Sequence, residues 1–262
     1  MTRNRGCFVA IGALVLTVTI VGLKATPADP SDWSDMENRL QRAAANDSAA
    51  DLRALRAHLL RASTKPVTKE RDALIQYAIS YLASRMAFIP DVPDKERDDL
   101  LADGVQRLQT ILKANPNHAE AHILLAGLYG AQIARSPMKG MTLGGRANEE
   151  LERAATLAPD NPRVYLQQGI SAFNTPALFG GSIDKAERLF RRSLDLFERE
   201  PVDHPWPNWG RFEAHAWRGQ ALVEKNDRAS ARAEYDKALA IAPASGWVRY
   251  VLLPALDQGE RR

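Results

Sequence analysis

Residues 212–243 read F-E-A-H-A-W-R-G-Q-A-L-V-E-K-N-D-R-A-S-A-R-A-E-Y-D-K-A-L-A-I-A-P. Small residues at Gly219, Ala231 and Ala238 fall where two crossing helices must approach closely, and Tyr235 is placed to fill the space beside them. Asn226 and Asp227 supply a tight turn between the two helices, and Pro243 cannot continue the second one. The stretch therefore predicts a helical hairpin.

Those spacings resemble the tetratricopeptide repeat, a unit of about 34 residues with a small residue in each helix, an aromatic in the second and a closing proline. His215 departs from the pattern by occupying the usual tryptophan position. Sliding the pattern backward finds copies over 119–159, with Ala126, Ala147, Leu151, Ala154 and Pro159, and over 162–198, with Gly169, Ala186 and Phe190. The closing positions Pro116, Pro159, Glu198 and Pro243 lie 43, 39 and 45 residues apart, so each repeat carries extra residues. In the first two the excess falls between the paired helices, as S-P-M-K-G-M-T-L-G-G (136–145) and N-T-P-A-L-F-G-G-S (174–182); in the third it precedes the repeat as R-E-P-V-D-H-P-W-P-N-W (199–209).

Outward from these repeats, 71–88 and 99–113 read as a more degenerate pair, 31–45 and 49–62 as an opening hairpin, and 245–256 as the helix that covers the apolar face of a last repeat. The expected fold is all-α: a right-handed superhelical stack of tetratricopeptide-like hairpins over residues 31–262, with enlarged loops inside repeats and a C-terminal capping helix. A narrower likeness, to the periplasmic T component associated with some solute transporters, whose repeats also carry enlarged loops, implies an extracytoplasmic binding or assembly role.

Residues 1–30 are expected to form a signal or anchor and its linker. Arg3 and Arg5 precede 6–23, which carries no charge, and Lys24 and a proline-containing polar stretch follow. An apolar run of this length falls between a cleaved signal's core and a membrane-spanning helix, so both readings stay open. In either case the flanking arginines send the remainder across the membrane, to the periplasm or the outer face of the inner membrane. Cys7, the only cysteine, leaves no disulfide to the exported part.

The 35 basic and 32 acidic residues are nearly balanced, and no basic run is interleaved with aromatics, which argues against nucleic acid as a partner. His118 and His122 have the spacing of a metal pair on one helical face, but the repeat pattern places the first in a turn and the second at a packing position. No nucleophile elbow or phosphate-cradling glycine motif occurs, and we expect no catalytic residue, metal or cofactor.

Binding remains. In this repeat family the first helix of each unit lines the concave face, which would include Ile123, Gly127, Leu166, Ile170, Phe173, Asn174, Trp217 and Gln220. Only Arg163 and Asn174 match the polar types with which some members grip a peptide carboxylate. Leu178 and Phe179, exposed if the loop stood free, are expected to fold back onto an apolar surface beside Met138, Met141 and Leu143, either plugging gaps between repeats or walling a pocket. The leading expectation is a scaffold that binds another protein; a small apolar ligand linked to transport is the alternative, and a hydrolase or metal enzyme comes third.

Overall fold

The computed structural model describes residues 36, 38–40, 42–43, 47–64, 68–201 and 207–259. Among them every regular element is helical. The segment 6–23 lies outside them, and within them no helix is long and apolar enough to cross a membrane.

The elements pair as hairpins. Residues 36, 38–40 and 42–43 are helical and precede α1 (Ala49–Ala62). Then α2 (Lys69–Met86) pairs with α3 (Asp94–Ala114), α4 (Ala119–Arg135) with α5 (Gly140–Leu157), α6 (Pro162–Asn174) with α7 (Ile183–Phe197), and α8 (Arg211–Glu224) with α9 (Arg228–Ile241). The first helices α2, α4, α6 and α8 pack successively side by side and form the inner surface of the stack. The all-α repeat architecture read from the sequence is the one observed.

Small residues set the hairpin spacing as expected. A Cβ added to Gly219 would meet the Tyr235 ring at 2.3 Å, and one added to Gly169 would meet the Phe190 ring at 2.5 Å. Ala231 and Ala186 are wholly buried at the matching positions. Helix starts are capped by side chains: Thr68, Asn161, Ser182 and Asp227 each accept from the backbone N–H two or three residues on. At the C-terminal end a π-helical turn (Val248–Leu252) leads into α10 (Leu253–Gly259). Val248, Leu252 and Leu256 cover Phe212, Tyr235 and Ala238 of the last hairpin, which is the capping role expected of 245–256.

Two expected loops differ from each other. The first is not a loop: a short 3-10 turn (Pro137–Lys139) runs directly into α5, so Gly144 and Gly145 lie inside a helix with nothing near their Cα hydrogens. Paired glycines weaken a helix by about 1 kcal/mol each without forbidding it, and the flanking turns outweigh them. The second is a true break. Pro176 ends α6, Ala177–Phe179 forms one 3-10 turn, and Gly180 is left-handed with φ +89°. A Cβ on Gly181 would lie 1.6 Å from the Thr175 carbonyl oxygen, so only glycine fits there.

Candidate functional site

The inner surface is covered over its first half by Trp209 and Gly210, just before α8. Trp209 packs at once against the core of the first hairpins, against Ile123 and Val164, and against the core around Leu166 and Phe197. Its indole Nε1–H donates to the Tyr77 hydroxyl at 2.9 Å, and its ring lies 5.6 Å from that of Tyr81, one turn further along α2. Gly210, with φ +113°, lets the backbone pass: a Cβ there would meet Phe197 at 2.8 Å and Leu166 at 3.2 Å. Arg85 then pairs with Glu213 at 2.9 Å and with Asp47 at 2.8 Å, so the last hairpin is tied across the groove to the first.

Beneath Trp209 lies a buried polar chain drawn from three successive repeats, in which Glu120 and Arg163 are each the second residue of their helix. The Tyr77 hydroxyl donates to Glu120 at 3.0 Å, Asn161 donates to the same carboxylate at 2.6 Å, and Arg163 stands 3.9 Å from it. Arg163 is 1% exposed, pairs with Glu200 at 2.7 Å, and lies over the rings of Phe197 and Trp209. Burial lifts the Glu120 carboxyl above its ordinary range, against the opposing pull of Arg163, Asn161 and Tyr77. With both carboxylates already engaged, Arg163 is not free to grip a peptide's terminus.

This closure divides the expected groove residues. Ile123 and Leu166 are wholly buried, contrary to their expected place on an open surface, because Trp209 covers them. The Cβ position of Gly127 is crowded by the Gln167 side chain. Ile170, Phe173, Trp217 and Gln220 remain half-buried and accessible, and Asn174 is exposed, its amide donating back to the Ile170 carbonyl. Aromatic rings link this open half: Phe173 to Trp217 at 5.5 Å and Trp217 to Trp247 at 5.4 Å. The Gln220 Nε2 is buried and has no hydrogen-bond partner among the described residues. Trp247 is an addition to the expected set, because the repeat pattern marks the capping helix only as a cover; its place one ring beyond Trp217 becomes visible with the packing.

The loop residues also depart from expectation. Leu178 and Phe179 are 88% and 76% exposed, and Met138 and Met141 82% and 90%, so they neither plug a gap nor wall a pocket. The tight 3-10 turn with glycines behind it throws Leu178 and Phe179 outward instead of back. Of the sister stretch only Leu143 packs onto the core.

The histidines pack, as the repeat pattern implies. His118 caps α4 by accepting the Ala121 N–H at Nδ1. His122 pairs with Glu150 through Nδ1 and meets the Pro116 carbonyl through Nε2 at 2.9 Å, the contact that the Tyr165 hydroxyl makes with Pro159 in the next repeat. In the last repeat His215 meets Glu234 at 2.7 Å.

No protein-family model and no curated protein matches this chain. Among solved structures it is similar in fold to the HusA haemophore from Porphyromonas gingivalis, with 22% identity over 76% of this chain and 96% of that one and a TM-score of 0.63. It is also similar to a thermophilic tetratricopeptide-repeat protein of Thermus thermophilus, with 19% identity over 84% of this chain and 98% of that one and a TM-score of 0.58. At these identities the likeness establishes the tetratricopeptide-like helical fold.

Proposed function

We propose that this protein is an exported helical-repeat scaffold that holds an apolar segment of another protein against the open half of its inner surface. The observation that carries the reading is the half-buried aromatic run Phe173, Trp217 and Trp247, flanked by Ile170 and Gln220. Tryptophan set in a partly formed pocket is the residue type that most often dominates binding energy. Closure of the other half by Trp209 narrows the usable groove to this stretch. Export rests on the uncharged 6–23 segment behind Arg3 and Arg5.

A photoreactive amino acid at position 173 in the full chain should crosslink to one discrete protein in native membranes, and Trp217→Ala should weaken capture roughly tenfold or more. Unchanged capture by Trp217→Ala would remove the groove from the account. A reporter active only outside the cytoplasm, fused after Arg262, should report activity that deletion of residues 1–24 abolishes.

A small planar apolar ligand is the second reading. It is supported by the same aromatic run together with the likeness in fold to a protein described as a haemophore. Haemin added to the purified protein should then quench tryptophan emission saturably, and Trp217→Phe should reduce the effect; a linear, unsaturated response would dismiss it.

A further inference from the structure

Five of the large apolar residues left in solvent occupy equivalent places in the stack. Phe88, 67% exposed, lies in the turn between α2 and α3; Met138 and Met141 lie between α4 and α5 or at the start of α5; Leu178 and Phe179 lie between α6 and α7. Because α2, α4 and α6 run side by side in one direction, these three turns emerge on one edge. The fourth hairpin turns instead through Lys225, Asn226 and Asp227, which are polar. The apolar edge thus belongs to the first three hairpins.

We propose that this edge seats on a lipid bilayer, with the five side chains entering the boundary between headgroups and acyl chains, roughly 5–10 Å deep. The tips emerge from three successive turns, each side chain at least two-thirds exposed. A fluid surface accepts such projections without shape complementarity, whereas a protein partner would have to match them. Charge contributes little: Lys139, Lys185 and Lys225 on this edge stand with Asp91 and Asp184, and Asp184 already pairs with Lys225 at 2.9 Å. Burial of the apolar tips carries the contact.

The chain outside the described residues brings the bilayer within reach. The apolar 6–23 segment is followed by residues 24–35, which span up to about 40 Å when extended. The longest helix among the described residues, the 21-residue α3, is only about 32 Å long. A chain held in the membrane by 6–23 can therefore turn the edge toward it, and tethering raises the local concentration so that a modest interfacial affinity suffices. In this respect the proposal rests on the export reading above, although edge contact can be observed without the tether.

The test uses the full chain with Cys7→Ala and one new cysteine, Phe179→Cys or Met141→Cys, carrying an environment-sensitive fluorophore. Asp160→Cys, in the connection on the opposite edge and 86% exposed, is the control. In protein-free phosphatidylcholine vesicles with brominated acyl chains, emission from positions 179 and 141 should shift to the blue and be quenched, and emission from 160 should do neither. Leu178→Ser with Phe179→Ser should keep the helical circular dichroism and reduce quenching at 141. Anchoring is read separately, as resistance of the unlabelled chain to alkaline carbonate. A chain that is extracted yet quenched at 179 upholds the edge contact and refutes the anchor. One that shows no quenching at 179 and 141 overturns the proposal, whether it is extracted or not, and so does a shift seen only in native membranes, which would assign the edge to a protein.

Discussion

At Gly219 there is no room for a methyl group beside the Tyr235 ring, and at Ala231 none for a larger side chain. Gly219→Ala and Ala231→Leu should each cost about 1–3 kcal/mol of stability by overpacking, measured by chemical denaturation; a variant as stable as the parent would contradict the register of the hairpin. These positions were legible in the sequence because each contact lies within one repeat, where spacing determines who meets whom. The partner of His215 was not legible, since the repeat pattern expects tryptophan there. Its partner Glu234 is buried, which disfavours its charge, yet His215, Lys237 and Arg218 hold its carboxyl at about 2. A depressed carboxylate contributes stability above its unfolded value near 4.5 that is lost as pH falls toward 2. Glu234→Gln should flatten the decline of thermal stability across that window, and an unaltered acid limb would show that the pair contributes nothing.

At the scale of elements, the two glycine pairs look alike in sequence and differ in conformation. Gly144 and Gly145 sit in open positions of α5, so alanine at either should stabilise the protein by about 0.5–1 kcal/mol. Gly180 is left-handed and Gly181 abuts the Thr175 carbonyl, so alanine at either should destabilise it. Thermal unfolding of the four single variants separates the cases; destabilisation by Gly144→Ala would mean that the helix does not begin at Gly140. A glycine pair reports only that the backbone is permissive, and whether a helix continues through it depends on the flanking turn. The exposure of Leu178 and Phe179 was hidden for a related reason: apolar composition implies a covering surface without saying whether the chain itself supplies it.

For the whole molecule, the decisive feature is the return of the last hairpin onto the first. Residues 199–209 read as excess length, and nothing local marks Trp209 as the side chain that fills the groove. Its partners lie far back in the chain, Tyr77 being separated from it by 132 residues, and contacts of that range leave no periodic trace. Their consequence is functional, because they bury Ile123, Leu166 and Arg163 and leave Ile170, Phe173, Trp217 and Gln220 as the usable part of the inner surface. A double-mutant cycle between Tyr77→Phe and Trp209→Phe, read from unfolding free energies, tests this closure most directly. Coupling of about 0.5–3 kcal/mol between the two positions is expected; strictly additive effects would mean that the groove stands open along its whole length.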